Sequence, residues 1–353
     1  MVLDYNVLGL MSGTSADGLD LAFCNFSSSG EKWKLKIKKT KFVLYSSELR
    51  RQLNEAHLLD AVQLRKFDVD FSYFIANRIS CFLDEINIKP DLIASHGHTI
   101  FHVPEDRFTY QVGSGEVLAK LTKIPVVCDF RSGDVALGGQ GAPLVPIGDK
   151  LLFGDYSACL NLGGFSNISF DNKDGQRIAY DISPVNFILN RIVSVLGMEF
   201  DNEGKIAASG TLNRSLLEDL NSLEYYSRTA PKSLSREWVD NELLPVVNHY
   251  KNEKTENILH TLTVHIAEKI AENMIGFKNI LITGGGTYNK FLIENIMSRT
   301  NVEIIIPDKE LIDFKEAIIF AFLGLLRYIN NINCLASVTG AERDSCCGVL
   351  CVP

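Results

Sequence analysis

Apolar residues recur along this chain with two different spacings. Short runs of strand character come first: NVLGLMSG, then LDLAFCNF, then LKIKKTKFVLY, which together predict an antiparallel start. Residues 60–86 switch to helical spacing, with Val62, Leu64, Phe67, Phe71, Phe74, Ile75, Ile79 and Phe82 on the apolar positions. DLIASHGHTIF and IPVVCDF read as buried strands, each ending in polar residues. From residue 157 the opening arrangement returns in kind: SACLNLGGFSNISF is an apolar run, a Gly-rich turn and an apolar run. A strand (RIAYDIS), a helix (NFILNRIVSVLG), a long helix (ENILHTLTVHIAEKIAENMIG), a strand with its turn (NILITGGG) and a last helix (KEAIIFAFLGLLRYIN) follow. Interleaved strands and helices predict a mixed α/β architecture. The repeated opening predicts two related domains, each beginning in a hairpin, with a small-ligand site between them.

Three Gly-rich turns follow strand-like runs: Ser12 to Gly18, Gly163 to Asn167, and Gly284 to Gly286. Each has two readings. A tight hairpin needs such residues. So does a loop whose exposed N–H groups cradle an anion. Three of them at strand ends favour a nucleotide site over three independent turns. Neither GxxxxGK[ST] nor a clean GxGxxG occurs, which argues against a P-loop or a dinucleotide fold.

Composition narrows the field. The chain of 353 residues has a net charge of −8, and its one basic cluster, KWKLKIKKTK, alternates polar and apolar positions like a solvated strand face. Nucleic acid is therefore not an expected partner. The amino terminus lacks the features of a signal peptide, and no stretch has the length of a membrane span. The eight cysteines read as free thiols of a reducing, cytoplasmic compartment, with Cys346, Cys347 and Cys351 as a thiol tail in preference to a metal site.

Candidate chemistry sits at element ends. Asp129 and Arg131 close one strand, Asp181 ends another, and Glu316 opens the last helix. A cap or surface ion pair is the commoner role for any one carboxylate. Asp181 stands out, because apolar residues lead into it and a strand end suits a general base. His96 and His98, two apart, would share one strand face, a spacing seen in metal sites. With no carboxylate or thiol nearby, hydrogen bonding in a pocket is the preferred reading. DFRSGDVALGGQGAPLVP reads blandly as a surface loop, yet has almost no Lys or Glu. It predicts a pocket wall, with Arg131 for an anion or hydroxyl and Asp134 and Gln140 for hydrogen bonds.

MSGTSADGLD, SHGHTI, QVG, DFRSGDVALGGQGAPLVP, LNLGGFSN, ITGGGTYN, EAIIFAF and SVTGA occur in the order found in anhydro-N-acetylmuramic acid kinases, and the chain resembles that family from residue 8 to about 340. The resemblance implies the actin, hexokinase and Hsp70-like ATPase superfamily: two duplicated ribonuclease-H-like domains with mixed five-stranded sheets, ATP in the cleft between them. The expected limits are 1–130 plus about 332–353 for one domain and 131–331 for the other. It implies ring opening of 1,6-anhydro-N-acetylmuramic acid with ATP and water, giving N-acetylmuramic acid 6-phosphate and ADP in cell-wall recycling. Gly13, Thr14, Ser15, Ala16, Asp17 and Gly18 match the ATP phosphate loop, with Asp17 a Mg²⁺ candidate or a hairpin cap. Gly163, Gly164, Ser166 and Asn167 match the second phosphate turn. Gly284, Gly285, Gly286 and Asn289 match the nucleoside turn. Asp181 falls on the general base, Glu316 on a second acid and Arg131 on the sugar-pocket arginine. Ser12, His96, His98, Gln111, Asp129, Asp134, Gln140 and Asn186 complete the expected amino-sugar contacts. A homodimer is an analogy only.

The chain departs from the family at the base. DISPVN stands where the motif reads DxGPGN, so two glycines that would allow close approach are replaced. That puts the shape of the sugar pocket in question. Three rivals stay open: a kinase for a different amino sugar, a non-catalytic nucleotide or sugar sensor on the same fold, and an actin-like assembly protein.

Overall fold

The computed structural model describes residues 2–30 and 32–353. The chain forms two compact units, Met1–Leu152 with Phe314–Pro353, and Phe153–Asp313. The sequence placed the first change of domain at residue 131 and the return at about 332. The units described here change at 153 and return at 314.

In the first unit, β1 (Val2–Ser12), β2 (Gly18–Ser29) and β3 (Trp33–Leu44) form an antiparallel meander. β4 (Leu92–Val103) lies parallel to β1, β5 (Phe108–Val112) folds back antiparallel on β4, and β6 (Val126–Cys128) lies parallel to β4. In the second unit, β7 (Ala158–Leu162), β8 (Phe165–Asp171) and β9 (Arg177–Pro184) repeat the meander. β10 (Asn279–Thr283) lies parallel to β7 and β11 (Glu303–Ile305) parallel to β10. The short C-terminal β12 (Val349–Cys351) returns to pair with β6 in the first unit.

Among the described residues the strand orders are β12-β6-β4-β1-β2-β3, with β5 also on β4, and β11-β10-β7-β8-β9. Stripped of β5 and β12, both sheets have one topology: three antiparallel strands, then two parallel ones added beside the first. This is the duplicated ribonuclease-H-like arrangement. The second sheet has the expected five strands, and the first has seven. The two additions are a hairpin return and a tail strand, which the apolar pattern is too short to announce.

Each sheet has its own core. Leu8, Leu10, Leu19, Leu21, Phe23 and Ile93 pack under the helix Ala61–Ile86, which contributes Phe71, Ile75, Ile79 and Phe82. Those four are spaced as one helix face requires. Asp60 and Gln63 close a capping box at its start, and Asn87, at φ 50°, ends it in the left-handed region. Val62 does not join the apolar face: it lies in the exposed first turn. In the second unit Leu160, Leu162, Ile168 and Ile182 pack against Leu259, Leu262, Ile266 and Ile270 of the helix Thr255–Glu272. The Lys-rich β3 is an edge strand whose exposed positions alternate, which blunts an otherwise open edge.

Candidate functional site

The first unit supplies a turn and a hydrogen-bonded arginine. Between β1 and β2 the chain reverses in a tight turn, with the N–H of Ala16 donating to the carbonyl of Gly13 at 3.0 Å. Ala16 holds φ 53°, a left-handed conformation uncommon outside glycine. Gly18 is required by packing, since a Cβ there would lie 2.5 Å from Phe42 and the Val43 carbonyl. Gly13 is not so required: the nearest atom to a Cβ would be 3.8 Å away. Thr14, Ser15 and Asp17 are exposed, and Asp17 pairs with Arg50 at 3.1 Å. The stretch is a true hairpin with an exposed tip.

β6 stops at Cys128, earlier than the apolar run suggested, because Asp129 turns to φ 48°. That strained turn delivers Arg131. Arg131 donates from Nε and Nη2 to His96 Nε2 at 3.0 and 2.8 Å, and from Nη1 to the carbonyl of Gly141 at 2.6 Å. His96 Nδ1 lies 3.0 Å from the carbonyl of Gly97. A carbonyl can only accept, so Nδ1 carries the ring proton and Nε2 is the free acceptor that Arg131 needs. Burial and the Arg131 charge hold His96 well below its usual range, so it stays neutral. Of the five guanidinium N–H groups, one on each terminal nitrogen has no partner among the described residues, a pair suited to an oxygen-bearing ligand.

The rest of the loop is fixed by Asp134, which is fully buried. Its Oδ1 accepts from Thr339 Oγ1 at 2.7 Å and from Cys334 Sγ at 3.0 Å, and its Oδ2 from the N–H of Gly141 at 2.8 Å. Both oxygens are engaged, so Asp134 builds the loop that holds Arg131. Gln140 is exposed, with its N–H on the carbonyl of Thr339. Asp129 Oδ1 accepts from the N–H of Ser132. Gln111 donates to Thr109 Oγ1 at 2.7 Å. Glu316 does not open its helix: the helix begins at Lys309, so Glu316 lies two turns inside it; burial raises its carboxyl pKa, with the charges of Arg131 and Lys315 opposing.

His96 and His98 do not simply share a strand face. Gly97 between them holds φ 74°, and a Cβ there would lie 2.5 Å from the Val112 carbonyl. His98 meets different partners: its Nδ1 lies 2.9 Å from Ser12 Oγ, which lies 2.8 Å from the hydroxyl of Tyr45. Tyr45 carried no signal in the sequence, being 33 residues from Ser12.

In the second unit Asp181 does not end its strand as the sequence suggested: it is the fifth of eight residues of β9, with Asn167 of β8 opposite, and the pairing continues to Pro184. Its carboxylate accepts at Oδ2 from the N–H of Leu234 at 2.8 Å. Its N–H donates to the carbonyl of Lys232 at 3.2 Å, and its carbonyl accepts from the Tyr225 hydroxyl at 2.7 Å. Burial raises the Asp181 pKa, and the Leu234 N–H partly opposes that. One carboxylate oxygen is held and Oδ1 has no hydrogen bond from the described residues, which is the geometry of an oriented base. Sequence reasoning missed Tyr225 and the 232–234 backbone, which lie more than forty residues away.

SPV resolves cleanly. Ser183 is buried; its Oγ donates to the carbonyl of Pro184 and lies 3.3 Å from the Tyr226 hydroxyl. Val185 is fully buried in the core of this unit. Both added side chains are absorbed by the unit's own interior.

The two glycine turns here divide as the first one did. Gly284, at φ 88°, and Gly286 would drive a Cβ to 2.8 and 2.7 Å from Leu162. Gly164 and Gly285 would meet nothing nearer than 3.8 and 3.6 Å. Gly163, whose N–H donates to the carbonyl of Phe165, is intermediate, with Asn161 at 3.1 Å. Gly13, Gly164 and Gly285 are thus not demanded by packing within the chain. Ser166 is turned inward, bonded to the backbone of Ser183 on both sides. Asn289 Oδ1 caps the helix Lys290–Met297, and Asn186 Nδ2 reaches the carbonyl of Leu162 at 3.4 Å. No group of three His, Cys, Asp or Glu side chains among the described residues could hold a metal. No helix among them is long and apolar enough to cross a membrane.

Comparison with known proteins identifies the family. The family model described as anhydro-N-acetylmuramic acid kinase matches residues 5–353. Proteins of that name are similar over nearly their whole length: 34% identical in Francisella tularensis subsp. novicida, covering 95% of both chains; 32% in Hydrogenovibrio crunogenus, covering 98% of both; and 33% in Clostridioides difficile, covering 95% of both. With the family model matched over residues 5–353 and relatives at 32–34% identity over nearly the whole chain, the chain belongs to the anhydro-N-acetylmuramic acid kinase family.

Proposed function

We propose that this enzyme opens the 1,6-anhydro ring of anhydro-N-acetylmuramic acid with water and moves a phosphoryl group from ATP to O6. The products are N-acetylmuramic acid 6-phosphate and ADP, in the recycling of cell-wall sugar. The observation that carries the reading is Asp181: a carboxylate on β9, held through one oxygen, with its pKa raised by burial.

Asp181 takes a proton from water as it attacks the anomeric carbon. The C1–O6 bond breaks, and O6 takes the electron pair to the γ-phosphorus. Geometry supplies most of the rate, because the reacting atoms must be held in line. Arg131, fixed by His96 and Gly141, orients the sugar with its two remaining N–H groups. The N–H groups of the turns at Gly13, Gly164 and Gly285 suit phosphate oxygens. Membership of the family carries the use of ATP. A Mg²⁺ ion, commonly held by phosphates with one or two carboxylates, would neutralise charge on the transferred group, with Asp17 as its protein contact. The reading places the reaction in the cytoplasm, where ATP is supplied.

The test is turnover of anhydro-N-acetylmuramic acid with ATP in ¹⁸O-water. One ¹⁸O in the sugar phosphate, with one ADP per product, is expected. Equal turnover of ordinary N-acetylmuramic acid, or product without ¹⁸O, overturns the ring-opening role and favours a kinase for another amino sugar.

A further inference from the structure

We infer that Tyr45 fixes the tautomer of His98 through Ser12, so that the imidazole presents Nε2–H as a hydrogen-bond donor to an uncharged oxygen of the bound sugar. This rests on the substrate reading above and adds two positioning residues, Tyr45 and Ser12, to it.

Tyr45, Ser12 and His98 are all buried. The Tyr45 ring is held edge-on by Phe71 and Phe74, with centroids 6.1 and 5.7 Å away. Among the described residues Ser12 is the hydrogen-bond partner of the phenol, at 2.8 Å. Burial raises the phenol pKa, so the hydroxyl keeps its one proton. That proton must go to Ser12 Oγ, because a buried donor left unmade costs far more than an unused lone pair. Ser12 also has one proton. Having accepted from Tyr45, it gives its own to His98 Nδ1 at 2.9 Å. Nδ1 is then an acceptor, and the ring proton resides on Nε2. Nε2 has no partner among the described residues and is not sealed from solvent.

The ring is also kept neutral, since burial brings its pKa down to about 4. A neutral, direction-fixed N–H suits a hydroxyl, ether or amide oxygen. The neighbouring His96 is held in the opposite tautomer and aims the charged Arg131. A single SHGHT segment thus presents one neutral donor and, through its other histidine, one cationic fork. The inward Gly97 bend at φ 74° is what separates the two rings' partners.

Ring-¹⁵N-histidine spectra of the full chain, without ligand at neutral pH, read the tautomer directly. His98 protonated on Nε2 in the wild type is expected, and a mixed or Nδ1-protonated ring in Tyr45→Phe. The same variant should raise KM for the sugar roughly 2- to 12-fold, the worth of one neutral hydrogen bond, with KM for ATP unchanged. Ser12→Thr, which keeps the hydroxyl, should retain the Nε2–H signal, and Ser12→Ala should lose it. An Nδ1-protonated His98 in the wild type overturns the proposal, as does a Tyr45→Phe effect confined to ATP. If the wild type fails to turn over the sugar, the substrate reading falls, while the spectra still decide whether the relay exists.

Discussion

Replacing Asp181 by Asn removes the proposed base while keeping its shape, and the structure says how the amide will sit. Oδ2 of Asp181 accepts from the N–H of Leu234 at 2.8 Å. An amide can accept there only through its oxygen, so its NH₂ must occupy the place of Oδ1. A group that should take a proton from water becomes one that offers a proton to it. Loss of a single base removes roughly 10²–10⁴-fold in rate, and the inverted donor puts the expectation at the upper end. Stability should move the other way. Burial raises the pKa of Asp181 in the folded state. The folded protein therefore binds more protons than the unfolded one between the two pKa values, and the carboxylate's contribution to stability falls as pH rises through that window. Asn carries no such penalty, so at neutral pH Tm should be equal or higher. The assay is ADP release with the anhydro sugar, together with thermal unfolding at pH 7.5. In the wild type kcat/KM should fall as pH drops through the raised pKa, and that acid limb should vanish from the residual rate of Asp181→Asn. A variant with wild-type turnover, or one whose lost activity tracks a lower Tm, refutes the reasoning.

Three other outcomes are expected. Gly285→Ala should fold with unchanged Tm, because the added methyl meets nothing nearer than 3.6 Å, yet raise KM for ATP; Gly284→Ala, at φ 88° against the Leu162 backbone, should lose about 1 kcal/mol or more in denaturant unfolding. Val185→Gly, which restores one family glycine, should cost on the order of 3 kcal/mol by emptying a core position, and leave KM for the sugar within twofold. Lys315→Met breaks an ion pair of 2.8 Å with Asp149, both side chains being 6% exposed, and should cost about 3–5 kcal/mol by chemical denaturation.

Much of this protein is local. Period and punctuation determine the helix Ala61–Ile86, whose capping box and apolar face are written in consecutive residues. The hairpins at Ser12–Gly18 and Gly163–Asn167 follow from turn chemistry between apolar runs, and the motif order named the family. Asp181 reads as a strand-end carboxylate, yet β9 runs on to Pro184 because its pairing with β8 continues past it. What the sequence could not supply was who meets whom. Asp134 reads as a hydrogen-bonding wall of the pocket, but nothing local foretells that Thr339 and Cys334, some 200 residues on, both donate to its Oδ1. The altered SPV raises a question about the pocket that local sequence could not answer; in the fold Ser183 is buried and Val185 lies in the core of the second unit. His96 and His98 looked equivalent at a spacing of two, until the bend at Gly97 gave each a different neighbour and an opposite tautomer. Hydrogen bonds and burial depend on distance in space, and only tertiary packing brings Tyr45, Ser12 and His98 within reach of one proton chain.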